Sequence, residues 1–411
     1  MKALVLAGGL PQIALLEELK QRGIGTVLAD YFPNPVAKPY ADVFYQVSTL
    51  DVPAITDVAK KEQVDFLITV CTDQALLTVA QVSQTLGLPC YIDYQTALNV
   101  TNKSYMKAVF AEKGVSTAQF RVMGVFDAEQ IKHLRYPLIV KPVDCNSSKG
   151  VKRVDAPEML EEAFREAVQL SRTGTAIVEE FIEGPELSVD VYVENGVAHV
   201  LSVSELDKIP GQDTFVIFRS KSPGNMSEKV YSQICKTAQQ IADAFGLRNA
   251  PMLIQMISDG EQAYVLEFSA RTGGGEKFMM IKRVSGFDVV KAVVDLTLGQ
   301  LPHVQTENLG KKYFASEFIY CRPGVFDRIE GDKELLERGI LCDFYPFKSK
   351  GSVFDKIQNS GDRVAGYSMI ANSKEELEEK HNAAVAGLKV LDTDGVDIMR
   401  HDILTELYPH M

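Results

Sequence analysis

Apolar and polar positions along the first hundred residues alternate between two periods. Residues 3–7 form an apolar run ended by Gly8-Gly9, residues 11–22 carry apolar positions at helical spacing behind Pro11, and residues 26–30 form a second run closed by Asp30. Runs at 66–70 and 88–92 supply two more strand-like segments. Short apolar runs with helical stretches between them predict a parallel α/β sheet. The pattern changes near Asn99. Thr101 can cap a helix over 102–113 that Gly114 ends, and 155–170 reads as a helix capped by Asp155, with Glu158 completing a capping-box pattern. Residues 228–245 place Val230, Ile234, Ala238, Ile241 and Phe245 on one helical face. Between these helices Leu187, Val189, Val191 and Val193 alternate with polar residues up to Asn195-Gly196, which predicts a strand and a two-residue hairpin turn. A last clear helix starts at Ser373, where Glu376 completes a capping box.

Length and charge narrow this picture. A chain of 411 residues corresponds to two or three domains at roughly 150 residues each. Apolar residues at 46% and charged residues at 24% give enough material for a buried core, so global disorder is excluded. The formal charge of -12 has the wrong sign for non-specific attraction to nucleic acid or an anionic membrane. No stretch reaches the roughly 18 uncharged apolar residues of a membrane span, since the best run, residues 289–298, is broken by Lys291 and Asp295. Six cysteines without a CxxC pair, and an apolar start without a cleavage pattern, lead to the expectation of reduced thiols in a cytoplasmic protein. The six histidines do not cluster in sequence, so neither a histidine metal site nor a catalytic triad is expected.

Candidate chemistry lies in a few polar clusters. Gly8-Gly9 followed by Asp30 is an incomplete dinucleotide fingerprint, because the third glycine is missing, and it reads as a plain Rossmann-like module. Lys141 ends the apolar run Leu138-Ile139-Val140 and precedes Pro142, which holds an ammonium at a strand end. The run D-C-N-S-S-K-G-V over 144–151 offers backbone N-H groups, Ser147, Ser148 and Lys149 to phosphate oxygens. Val178-Glu179-Glu180-Phe181-Ile182, then Gly184-Pro185-Glu186, is an extended segment whose backbone can pair with an adenine edge, with a carboxylate nearby for ribose hydroxyls. Residues 253–271 form two strand-like segments carrying Gln255, Glu267 and Ser269, oxygen donors suited to Mg²⁺, followed by Arg271 and the turn Thr272-Gly273-Gly274-Gly275. Register provides a condition: a two-residue turn at Asp259-Gly260 puts Glu267 on the wrong face, and only an odd-numbered loop pairs it with Gln255.

The order of these motifs resembles the ATP-grasp ligases over essentially the whole chain. The opening A-G-G-L-P-Q-I-A-L-L-E-E-L-K-Q-R-G is similar to the domain that precedes the ATP-grasp fold, and T-N-K-S-Y-M-K resembles the helix whose first lysine, here Lys103, reaches the nucleotide phosphates, with Lys107 a bystander. By the same resemblance Lys141 is the second phosphate ligand. Glu179 meets the adenine amino group, Glu180 and Ile182 contribute backbone atoms, and Glu186 holds ribose. The pattern Q-(11 residues)-E-F-S-A-R assigns Gln255, Glu267 and Ser269 to the metal and Arg271 to the transferred phosphate. Gln255 stands where many members have a carboxylate, though carbamoyl-phosphate synthases resemble it there, and Ser269 replaces the usual asparagine.

The resemblance implies an α/β protein of three parts: a Rossmann-like pre-ATP-grasp domain over 1–98, an ATP-grasp core over 99–307 with a lid at about 115–180, and a carboxy-terminal lobe over 308–411. It also implies ATP with Mg²⁺, or Mn²⁺ in its place, small carboxylate and amine substrates, and an architecture that is often dimeric. The expected reaction is phosphorylation of a carboxylate by ATP and attack of an amine on the acyl phosphate, with charge neutralised by Lys103, Lys141 and Arg271. R-T-G-G-G-E lacks the residues that follow the arginine in bicarbonate-using members, and its glycine run looks more like amino-acid and dipeptide ligases. A bicarbonate-phosphorylating or purine-biosynthetic enzyme is the alternative, and a nucleotide-binding protein without ligase activity is the reading from another class. Arg363, in S-G-D-R-V-A-G-Y, is either a pocket residue or a turn arginine.

Overall fold

The computed structural model describes residues 1–145, 149–209, 215–305 and 312–403. They group into two compact units, each assembled from separated stretches: Met1–Thr117, Ser188–Val203 and Met226–Leu309 in the first, and Ala118–Leu187, Ser204–Asn225 and Gly310–Met411 in the second. Helices and strands alternate as the sequence pattern requires, with parallel and antiparallel sheets both present.

The first unit opens with a four-stranded parallel sheet in the order Val43–Gln46, Gly25–Asp30, Lys2–Leu6, Phe66–Ile68. Its central strand is buried on both faces. Ala3 and Val5 pack with Leu15, Leu16 and Leu19, and Leu4 and Leu6 pack with Ile55, Val58 and Val79, which is why the strand reads as a continuous apolar run. The segment expected to be a strand at 88–92 is not one. Pro89, in its middle, has no N-H to give a ladder. The strand Val43–Gln46, half-exposed at the sheet edge, left no comparable apolar run. The Gly8-Gly9 turn closes on itself, for Asp30 Oδ2 accepts from the Gly8 N-H at 2.7 Å and Asp30 Oδ1 from the Phe32 N-H at 2.8 Å.

The rest of this unit places the antiparallel pair Ala250–Ser258 and Ala263–Ser269 beside Glu186–Glu194, and then the strand that begins at Val197. Asn195 and Gly196 link the last two with φ of 52° and 85°, the left-handed pair that a tight hairpin needs. Helix Glu228–Ala244, capped by Ser227, buries the predicted stripe of Val230, Ile234, Ala238 and Ile241.

In the second unit, Phe120–Met123, Ala176–Glu180, Leu138–Pro142 and Lys152–Val154 form an antiparallel sheet in that order. Helix Leu160–Leu170 covers it with Leu160, Phe164 and Ala167 against Leu138, Val140 and Val178. That helix starts later than its sequence suggests. Pro157 opens a short 3-10 turn, Pro157–Met159, and Asp155 bonds Arg153 instead of a helix N-H. The strands Ile217–Ser222, Tyr313–Ile319, Ala365–Ala371 and Asp343–Pro346 are hydrogen-bonded neighbours in that order, and helix Lys374–Gly387 is capped by Ser373, as read from the sequence. Glu317, fully buried on its central strand, takes the His381 ring at 2.5 Å and the Tyr367 hydroxyl at 2.5 Å. Arg363 lies 3.4 Å over the Phe318 ring and donates to the Tyr320 hydroxyl at 3.0 Å. No helix among the described residues is long and apolar enough to cross a membrane.

Candidate active site

In the first unit the site is built on the ladder between Ala250–Ser258 and Ala263–Ser269. Ser258 faces Ala263 across a four-residue loop, an even number, which by itself would leave Gln255 and Glu267 on opposite faces. A bulge between Gln255 and Met256, with Leu266 as the extra residue, restores the parity, so Gln255 pairs directly with Glu267 and Leu253 with Ser269. The expected pairing is present, and an irregularity in the strand produces it in place of the expected odd-numbered loop.

Helix Lys103–Lys113 holds that bulge. Lys103 Nζ meets Glu267 Oε2 at 2.8 Å. One turn later Lys107, 1% exposed, donates to Thr117 Oγ1 at 2.6 Å, and Thr117 Oγ1 donates to the Val265 carbonyl at 2.6 Å. The Val265 N-H reaches the Ser116 carbonyl at 2.8 Å, and the Phe268 N-H reaches Met106 Sδ at 3.4 Å. Lys107, read from the sequence as a bystander, is a buried brace for the strand that carries Glu267.

Arg271 finds its partner in the amino-terminal segment. Its Nε donates to Asp73 Oδ1 at 2.7 Å, its Nη2 to Asp73 Oδ2, and Ser269 Oγ donates to Asp73 Oδ1 as well. Asp73 is the first residue of helix Asp73–Leu86, where a carboxylate suits the positive end of the helix dipole. Burial pushes the Asp73 carboxyl up, but Arg271 and Ser269 outweigh it and hold the group below the usual carboxylate range. Just before it Cys71 adopts φ of 60°, uncommon for a residue with a side chain, and worth roughly 1–3 kcal/mol of strain. Burial raises its thiol to about 12, which keeps that sulfur protonated at neutral pH. Tyr91, from the segment that is not a strand, donates to the Ala270 carbonyl at 3.1 Å and steadies the residue next to Arg271.

The glycine turn that follows has distinct demands at each position. A Cβ on Gly273 would lie 2.8 Å from Lys277 Cγ and 3.3 Å from Asp190 Oδ1, Gly275 has φ of +67°, and Gly274 has nothing nearer than the Cys71 carbonyl at 3.9 Å. The donor set of Gln255 and Glu267, one amide and one carboxylate side by side, fits a hard cation that takes its remaining oxygens from water or phosphate. Ser269 fits less well as a ligand, because its hydroxyl is committed to Asp73. Among the described residues no group of three or more His, Cys, Asp or Glu could hold a metal.

The second unit carries the other predicted residues. Glu179 sits directly opposite Ile139, which puts it diagonal to Lys141 on the same sheet face, and Lys141 Nζ meets Glu179 Oε1 at 2.5 Å. Both side chains are nearly buried. Glu180 points to the other face and is gripped by Arg135 at 2.9 Å and 3.2 Å, while the Phe181 N-H bonds the Pro137 carbonyl. Ile182 lies in the stretch between that strand and Glu186, which pairs with Lys208 at 2.5 Å. Lys149 is exposed, and Ser147 and Ser148 lie outside the described residues. Lys208 and Asp73 escaped the sequence reading because each stands alone in the chain, with its partner reached only through the fold.

Residues 134–279 match the model of a family described as the ATP-grasp domain. The chain is 24% identical to a formate-dependent phosphoribosylglycinamide formyltransferase of Mannheimia haemolytica over 66% of its length and 69% of that protein. It is 21% identical to the carbamoyl phosphate synthase large chain of Clostridium acetobutylicum, over 69% of this chain but 27% of that one. Among solved structures, an L-amino acid ligase from Bacillus licheniformis superposes with a TM-score of 0.81 over 95% of this chain and 98% of that one, at 21% identity.

Proposed function

We propose that this chain, an ATP-grasp ligase, phosphorylates the carboxylate of a small amino acid with ATP and joins the resulting acyl group to an amine, releasing ADP and phosphate. The observation that carries the reading is the bulged register that sets Gln255 beside Glu267, with Lys103 on Glu267. Arg271 lies two residues beyond Ser269, fixed by Asp73. Gln255 and Glu267 would hold one Mg²⁺, which when bound supplies positive charge to the nucleotide phosphates. Lys103 and Lys141 bind phosphate oxygens, exchanging their carboxylate partners for the incoming anion. Arg271 neutralises charge that develops on the transferred phosphoryl group, and its bidentate contact with Asp73 fixes its direction before substrate arrives. The hinge Glu179 to Ile182 receives the adenine edge and Glu186 the ribose, with Ser147, Ser148 and Lys149 closing over the phosphates. No side-chain nucleophile is required, and the protonated thiol of Cys71 agrees with that.

A second reading, bicarbonate as the phosphoryl acceptor, is favoured by the amide at Gln255 and by the likeness to a carbamoyl phosphate synthase chain. The two separate in an ADP-release screen with Mg²⁺ and ATP across paired amino acids and amines. Release that needs an amino acid supports the proposal, and release with bicarbonate alone overturns it.

A further inference from the structure

Next to Arg271 lies a buried cluster to which the reaction above gives no work. Asp190, on the strand Glu186–Glu194, and Lys277, the first residue of helix Lys277–Ser285, stand 3.7 Å apart, beyond hydrogen-bond reach, with side chains 2% and 9% exposed. Ser202 Oγ donates to Asp190 Oδ2 at 2.8 Å. Asp190 Oδ1, Lys277 Nζ and the hydroxyl of Thr272 have no hydrogen-bond partner among the described residues. A buried polar atom without a partner is expensive and uncommon in native proteins, more so when it is charged. Three of them belong to residues in or against the glycine turn.

Their setting indicates what they wait for. Asp190 Oδ1 and the Lys277 stem occupy the space where a side chain on Gly273 would go, so the cluster stands directly against the glycine turn that follows Arg271. The nearby formal charges are the carboxylates Asp73, Asp190 and Glu276 against the cations Arg271 and Lys277, an excess of one negative charge. That excess favours an ammonium group, which a zwitterion brings without changing the net charge, whereas a lone carboxylate would raise the excess. A carboxylate beside a lysine, 3.7 Å apart, presents opposite charges at a spacing that suits an α-ammonium and α-carboxylate laid antiparallel to the pair.

We propose that Asp190, Lys277 and Thr272 form the subsite that selects an α-amino acid as the carboxylate substrate. Asp190 Oδ1 accepts from the substrate ammonium, Lys277 Nζ donates to its carboxylate, and the Thr272 hydroxyl fills the remaining hydrogen bond. Ser202 orients Asp190 as a positioning residue. The inference rests on the carboxylate–amine ligase reading and makes it more specific, since neither bicarbonate nor a plain carboxylic acid carries the group that Asp190 is placed to meet.

The test compares kcat/KM for ADP release with alanine and with propionate, which lacks only the amino group, for wild type and Asp190→Asn under saturating MgATP and with the same saturating amine, hydroxylamine, as acceptor in every assay. Wild type is expected to prefer alanine. Asp190→Asn should lose roughly tenfold to a hundredfold with alanine while its KM for ATP and its rate with propionate stay unchanged. Equal losses with both acids, or a raised KM for ATP, would overturn the subsite while the wild-type preference leaves the ligase reading standing. A wild type that uses propionate as well as it uses alanine removes the amino-acid reading and the subsite together. Should Asp190→Asn not fold, Ser202→Ala replaces it: a raised KM for alanine with an unchanged KM for ATP supports the subsite, and no change in either refutes it.

Discussion

Asp73 does for Arg271 what a short sequence motif could not reveal. An aspartate at the start of a helix reads as an ordinary helix-terminal acid, and its partner lies 198 positions away. Replacing it by asparagine leaves a largely buried guanidinium without its counter-charge, which is expected to cost about 2–4 kcal/mol of stability and to lower kcat because Arg271 is no longer held. The pH dependence has a definite sign. A carboxyl held below its ordinary range gives stability that is fully present above the ordinary value and is lost as pH falls through the lower, folded one. Urea denaturation of wild type and Asp73→Asn should therefore differ by a constant amount near neutrality and converge only in acid. A difference that shrinks as pH rises would contradict the assignment.

At the scale of elements, register decides the site. The spacing of Gln255 and Glu267 was legible in the sequence, but not the bulge that makes them neighbours, because one extra residue in a strand changes no local composition. Helix Lys103–Lys113 was legible too, to within a residue at its start, yet the work of Lys107 was hidden by the long path through Thr117 to Val265. Thr117→Val keeps the shape and removes both hydrogen bonds of that path. It should cost about 1–3 kcal/mol and raise the Mg²⁺ concentration needed for half-maximal ADP release, with Thr117→Ser restoring both. Loss of stability alone, with the Mg²⁺ requirement unmoved, would reduce the brace to ordinary packing. The glycine turn gives a second contrast. Gly274 has room for a methyl group and Gly273 does not. Gly274→Ala should thus keep the melting temperature within a few degrees while activity falls if the carboxylate approaches there, and unchanged activity would place the substrate elsewhere.

Over the whole molecule, four of the site's cations each stand beside a carboxylate: Lys103 with Glu267, Lys141 with Glu179, Arg271 with Asp73, and Lys277 beside Asp190. The net charge of -12 argued against non-specific attraction to nucleic acid but said nothing of these pairs. The order of motifs made the ATP-grasp architecture readable, whereas the two compact units are each drawn from three separated stretches of chain, an arrangement no linear reading of pattern and composition can express. We propose the three-part division at about residues 98 and 307 as the order of functional segments along the chain. The central claim is that a substrate carboxylate attacks ATP. It is tested most directly by supplying an amino acid with heavy oxygen in its carboxylate, together with an amine, Mg²⁺ and ATP, and weighing the inorganic phosphate released. One heavy oxygen carried into phosphate for each ADP formed is the predicted result, and phosphate without the label would contradict it.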